Sequence, residues 1–199
     1  YQLLNASDTN GNFDMRQLFQ GTLVENDPWH AVTFVDNHDT EPGQSLESFV
    51  LSWFKPLAYA LILLRIDGLP CVFYGDLYGI PAKNVPAVAE LPTLMKIREL
   101  YAYGEQHDYF DNPNVIGWTR SGNDEFSGSG LAVILSNQSG GSKRMYIGTN
   151  HAGKEFRDIL GHSTDTVIID EDGCGEFSCC DGSVSVWIEK ALKVEVSLD

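Results

Sequence analysis

Two short β-rich runs, Ala31 to Val35 and Cys71 to Tyr74, enclose a longer stretch, Ser45 to Ile66, whose apolar residues recur at helical spacing. Phe13 to Gln20, closed by Gly21, and Thr93 to Tyr103, closed by Gly104, read as further helices. Helix, strand, helix, strand, helix is the rhythm of a parallel α/β sheet or barrel, whose strands are short, apolar and buried. Pro56 is expected to divide the long stretch in two, because proline cannot donate the intrahelical bond. Two strands cannot close a barrel of eight. Complementary strands are therefore expected upstream of Tyr1.

Near residue 105 the pattern changes. Val115 to Thr119, Leu131 to Leu135, Lys143 to Ile147, Thr166 to Ile169 and Ser183 to Ile188 are short β-rich runs separated by Gly, Asn, Asp and Ser clusters. That is the signature of an antiparallel sandwich. Residues 1–104 are accordingly read as one unit and residues 105–199 as a second.

Thirteen basic against twenty-eight acidic residues leave a formal charge of −15. Such a field repels phosphate backbones, which argues against nucleic acid and anionic membranes as partners. The most apolar stretch, Trp53 to Ile66, is broken by Lys55, Pro56 and Arg65 and is too short to span a bilayer. Cys71 lies in an apolar run and reads as a small buried hydrophobe. Cys174 is a candidate to bridge Cys179 or Cys180 in an oxidising compartment, with one thiol left over. The trio lacks a fourth ligand at zinc-site spacing. Asn5-Ala6-Ser7 and Asn137-Gln138-Ser139 are glycosylation sequons.

The segment with most chemistry is Asp36-Asn37-His38-Asp39, directly after the first apolar run. In a parallel barrel, catalytic side chains stand at the C-terminal ends of strands. By composition alone the favoured reading of the four residues is a turn with a helix cap. A metal site of Asp36, His38 and Asp39 is a poor option, since adjacent residues of an extended segment point to opposite sides.

Val32-Thr33-Phe34-Val35-Asp36-Asn37-His38-Asp39-Thr40 resembles the strand-seven motif of the α-amylase family of glycoside hydrolases. Pro42 to Ser48, Trp53 to Ala60, Val72-Phe73-Tyr74-Gly75-Asp76 at strand eight, Tyr101 to Gly104, Gly117 to Arg120, Gly175 to Phe177 and Gly182 to Val186 resemble the liquefying bacterial amylases and their fungal relatives. The resemblance implies the C-terminal part of a (β/α)8 TIM barrel followed by an antiparallel Greek-key β-sandwich. It also implies a secreted starch-degrading enzyme, cleaving internal α-1,4-glucosidic bonds with retention through a nucleophile, an acid and an assisting carboxylate.

By motif position Asp39 is that assisting, transition-state-stabilising carboxylate, and His38 contacts the sugar where cleavage occurs. Asp36 and Asn37 hold the loop. Glu41 and Gln44 are candidates to bind neighbouring sugars, and Tyr74 and Asp76 to border the cleft. Nucleophile and acid are expected outside this chain, in the N-terminal remainder of the same enzyme. Arg65-Ile66-Asp67 mimics the nucleophile motif but falls on the loop before strand eight, at the barrel's other end. The chain alone is thus expected to be inactive. His107 and Asp108 read as structural, and His30, His151 and His162 as surface or packing residues.

The resemblance also implies that a calcium ion can be held between barrel and sandwich, through backbone carbonyls and aspartates. Here Gly11 and Phe13 would offer carbonyls, while Asn114 and Asn137 stand where aspartates are expected. Amides weaken a calcium site severely, so none is expected at that junction. Calcium is implied for the whole enzyme, with ligands mostly outside this chain. Rival readings are an exo-acting or transglycosylating enzyme and a non-catalytic glucan-binding or structural relative.

Overall fold

The structure is a computed structural model and describes residues 1–8 and 11–192. Helices α1 (Gln2–Asp8) and α2 (Leu23–Asn26) precede strand β1 (Val32–Phe34); α3 (Lys55–Leu63) then leads to β2 (Leu69–Cys71). Helices α4 (Tyr74–Tyr78) and α5 (Leu91–Tyr101) follow. β1 and β2 pair in parallel, Val32 opposite Leu69 and Phe34 opposite Cys71. No barrel closes among the described residues; the expected last strands of one are seen as an open pair.

Two helices differ from expectation. Phe13 to Gln20 contains a single 3₁₀ turn, Met15–Gln17, begun by Asp14, whose side chain accepts from the Arg16 N–H. The long stretch from Ser45 is helical only from Lys55, because Pro56 at the first turn starts the helix instead of splitting it. The preceding residues are tied elsewhere: Val50 N–H donates to Asp36, and Leu51 N–H and the Trp53 indole donate to the Ser7 hydroxyl and carbonyl.

The second half is β-rich. Strands β3 (Gln106–Tyr109), β4 (Val115–Arg120), β5 (Leu131–Ser136), β6 (Gly141–Tyr146), β7 (Glu155–Asp158), β8 (Thr166–Ile168), β9 (Cys174–Cys179) and β10 (Val184–Glu189) form two antiparallel sheets. One has the order β3-β4-β5-β10-β7-β8, the other pairs β6 with β9. The period of two along a strand explains how they stack. On β5, Leu131, Val133 and Leu135 join a core with α3 and α5, whereas Ala132 and Ile134 join Met145, Phe177 and Trp187 beneath β6 and β9. β4 and β10 alternate in the same way. The large sheet is thus buried on both faces, which is why its central strands read as unbroken apolar runs.

The first core runs without a break from Leu57 and Leu61 to Trp118, Val133 and Val186. The Trp118 indole donates to the Leu64 carbonyl at 3.3 Å. Arg65 is clasped at the same place: its guanidinium grips Asp108 at 2.6 and 2.9 Å and stacks over Phe19, Phe110 and Trp118.

The outer face of the parallel pair is bare. Val32 is 60% and Leu69 66% exposed, and Phe34 and Cys71 beside them are exposed as well. Cys71 was expected to be buried; its strand lacks neighbours on that face. Apolar strands with solvent on such a face violate the rule that parallel sheets are covered.

Candidate functional site

Asp36 follows β1 after one buried residue and is itself only 3% exposed. Its Oδ1 accepts from Val50 N–H at 3.0 Å, and Lys55 Nζ lies 2.8 Å from Oδ2. The same ammonium donates to Asp76 Oδ1, and Asp76 Oδ2 accepts from the Tyr59 hydroxyl at 2.6 Å. Asp76 sits on α4 just after β2, and Lys55 on the first turn of α3. One buried cation therefore ties together the C-terminal ends of both parallel strands.

Burial pushes the Asp36 carboxyl above its ordinary range, against the opposing pull of Lys55. Burial alone would lower Lys55, but the two carboxylates together outweigh it and hold the amine above its usual value. Burial and the neighbouring Asp76 charge push the Tyr59 phenol up, so that it remains a donor.

Above this lock, the Asn37 side-chain oxygen accepts from the N–H groups of Asp39 and Thr40 at 2.9 and 3.0 Å, an Asx-turn that fixes the loop. His38 and Asp39 project outward, both exposed, with Nε2 of one 3.4 Å from Oδ1 of the other. Glu41 is bound by Lys83 at 2.6 Å and Gln44 at 3.1 Å. Lys83 holds the Glu41 carboxyl below the usual range. Gln44 is exposed on the same loop.

His38, Asp39, Glu41 and Gln44 are thus gathered on one loop, although Glu41 is committed to Lys83. Tyr74 is exposed beyond β2, with its ring 4.6 Å from that of Tyr78. Asp76 was expected to border a cleft; the structure buries it as a partner of Lys55. Asp67 lies before β2, at the opposite end of the parallel pair, bound by Arg65 and Gln106. The sequence reading missed Lys55 and Tyr59. The available signal was a lone ammonium within an otherwise apolar run, Trp53 to Leu64.

At the junction of the two halves the amides bind one another. Asn114 Nδ2 donates to the Gly11 carbonyl at 3.1 Å and to Asn137 Oδ1 at 3.0 Å, and Asn137 Nδ2 donates to the Phe13 carbonyl at 2.8 Å. Both carbonyls that a cation would need already accept from neutral N–H donors. These residues do not fit calcium, which takes a shell of mostly anionic or unshared oxygens. Among the described residues no three His, Cys, Asp or Glu side chains cluster as a metal site.

All four cysteines are free. The expected Cys174 bridge is ruled out by geometry. Cys174 and Cys179 end the same extended strand, ~17 Å apart at the usual rise, far beyond the ~7 Å Cα reach of a disulfide. Cys180 is one residue further along and points its thiol at the His162 carbonyl. The Asn137 sequon is likewise closed: the residue is buried and its amide nitrogen already donates to Phe13. Of the histidines, His30 is exposed against Asp27, His107 packs edge-on to Tyr146, and His151 and His162 meet the carbonyls of Ser121 and Val184.

The "Alpha-amylase C-terminal" family model matches residues 131–188. The chain is 56% identical over 191 residues to a glucan 1,4-alpha-maltohexaosidase of Bacillus sp. (strain 707), covering 96% of this chain and 37% of that protein. It is also 56% identical to an alpha-amylase of Geobacillus stearothermophilus, over 95% of this chain and 35% of the relative. The crystal structure of a gamma-CGTase from an alkalophilic Bacillus clarkii superposes with a TM-score of 0.59 at 21% identity, covering 93% of this chain and 31% of that one, a likeness of fold. The chain spans about a third of the length of these curated relatives. Residues 131–188 thus resemble the C-terminal domain of α-amylases, and the chain is similar, over nearly its whole length, to a portion of bacterial α-amylases.

Proposed function

We propose that this chain supplies one wall of the active site of an α-amylase that cleaves internal α-1,4-glucosidic bonds of starch and malto-oligosaccharides with retention. The observation that carries the reading is the pairing of two features at one end of β1. The Asp36–Lys55–Asp76 lock and the Asn37 turn fix the loop, and His38 and Asp39 stand on it facing solvent. A charged carboxylate held on a rigid strand end is what electrostatic stabilisation of an oxocarbenium-like transition state requires. Asp39 fills that role, and His38 donates to a sugar hydroxyl beside it. Gln44 reaches a neighbouring sugar, with Glu41 orienting the loop through Lys83.

The nucleophile and the acid come from residues outside this chain. Further parallel strands from outside the chain would cover the exposed Val32, Phe34, Leu69 and Cys71 of the open β1–β2 pair. The β-rich unit from residue 105 onward packs its large antiparallel sheet against α3 and α5. Gly104 suits the boundary: its φ is +83° and a side chain there would collide with the Gly122 backbone. The isolated 199-residue chain is expected to release no reducing sugar from starch. Asp39-dependent release by the purified chain would overturn the assignment.

Calcium serves the complete enzyme through ligands outside this chain, while the Asn114–Asn137 junction works without it. In the full-length protein, Asn114→Asp with Asn137→Asp turns carboxylates toward the Gly11 and Phe13 carbonyls. A loss of roughly 1–3 kcal/mol per position is expected in metal-free buffer, recovered when calcium is added. Unchanged urea unfolding of the double variant without metal would contradict this account of the junction.

A further inference from the structure

A cavity of about 400 Å³ opens between α5 and β4, lined by Arg65, Arg98 and Arg120 together with Tyr103 and Glu99. Only one of the three guanidinium groups is neutralised. Arg65 holds Asp67 and Asp108. Glu99, on the rim, pairs with Lys96. Arg120 is only 5% exposed, and the contact described for it is Nε to the Gly104 carbonyl at 3.1 Å. Arg98 donates one Nη1 hydrogen to the Leu63 carbonyl. Among the described residues neither Arg98 nor Arg120 has a carboxylate partner. Buried cations are normally paired, and here the buried Arg120 and the half-buried Arg98 are left open in a chain of charge −15. Burial, with Arg98 next to it, draws the Arg120 pKa down to about 10.

We propose that this cavity is an oxyanion site, in which Arg98 and Arg120 grip a phosphate- or carboxylate-type group. Guanidinium forks match the paired oxygens of such groups, and two forks converging on one space are suited to an anion with several oxygens. The volume falls at the low end of small-molecule sites, ~300–1,000 Å³. Two sources share this chemistry: a free oxyanion, and an acidic side chain from the part of the protein outside residues 1–199. The proposal is independent of the starch reading, since the cavity lies at the N-terminal end of β2, where Arg65 and Asp67 sit, and Asp39 lies at the other.

The test is thermal unfolding of the full-length protein in inorganic phosphate against chloride of equal ionic strength, with Arg98→Gln, Arg120→Gln and the charge-conserving Arg98→Lys. Arg98, half-buried and on the rim, is the position that disturbs folding least. A midpoint raised by several degrees in phosphate, with the rise abolished in Arg98→Gln, identifies a free oxyanion. No phosphate response, but a lowered midpoint in Arg98→Gln that Arg98→Lys largely restores, identifies a carboxylate supplied in cis. No response to phosphate with Arg98→Gln and Arg98→Lys alike sinks the proposal, because the arginines would then act only through packing. A midpoint that rises on replacing Arg120 and ignores phosphate has the same consequence.

Discussion

Replacing Asp39 by Asn in the full-length protein is expected to lower kcat/KM on soluble starch by about 10³-fold, ~4 kcal/mol of transition-state stabilisation. The loss should fall mainly on kcat, since the charge matters most when positive character develops at the sugar ring. The unfolding midpoint should stay put. Asp39 is exposed, and the turn beneath it is held by its backbone N–H, which the variant keeps. His38→Ala is expected to cost less and to raise KM as well, because a hydrogen bond to a sugar hydroxyl serves ground and transition states alike. Activity within a few-fold of wild type in Asp39→Asn would remove the residue from the catalytic machinery.

The second large effect concerns stability. Lys55→Met in the full-length protein leaves Asp36 and Asp76 buried without their cation and is expected to cost about 3–5 kcal/mol. The pH dependence follows from the directions of the two shifts. Lys55 is raised, so its stabilisation is fully present below its unfolded value, ~10.4, and is lost as pH rises through the higher folded value. Asp36 is also raised. Its contribution is therefore greatest below ~3.9 and declines as pH climbs through its folded value. Without Lys55 that decline deepens, so the variant's deficit should be smaller near pH 4 than at pH 7. Urea unfolding at several pH values measures it. A deficit independent of pH would mean that packing, not charge, sets the cost.

Much of this architecture was readable from apolar spacing. β4, β5 and β10 have large aliphatic or aromatic residues on both faces, because each face meets its own core. The elements that went unread lack that signal. β7 buries Asp158 at a core position, where it accepts from the N–H groups of Leu160, His162, Ser163 and Val186; a carboxylate there reads as loop. β9 does alternate, but its inward residues include Gly175 and Cys179, too small to announce a face. β3 is Gln106-His107-Asp108-Tyr109, polar throughout.

The site divides the same way. His38 and Asp39 are contiguous and carry a motif, so sequence located them. Lys55 and Asp76 are brought to Asp36 only by the strand–helix–strand path, and no local pattern could join positions 36, 55 and 76. Apolar spacing from Leu46 to Phe54 suggested a helix, and long-range bonds to Ser7 and Asp36 prevented it. The cysteines were judged by proximity in sequence, which an extended strand turns into distance in space.

The core that runs from α3 and α5 into β4, β5 and β10 limits how this chain can be recombined with others. Leu57 and Leu61 belong to the same buried cluster as Trp118 and Val186, and the Arg65 guanidinium lies over the rings of Phe19, Phe110 and Trp118. A chimaera cut at residue 104 would bring two unrelated halves of one jigsaw together, and would have to inherit the outward face of α3 along with the sheet.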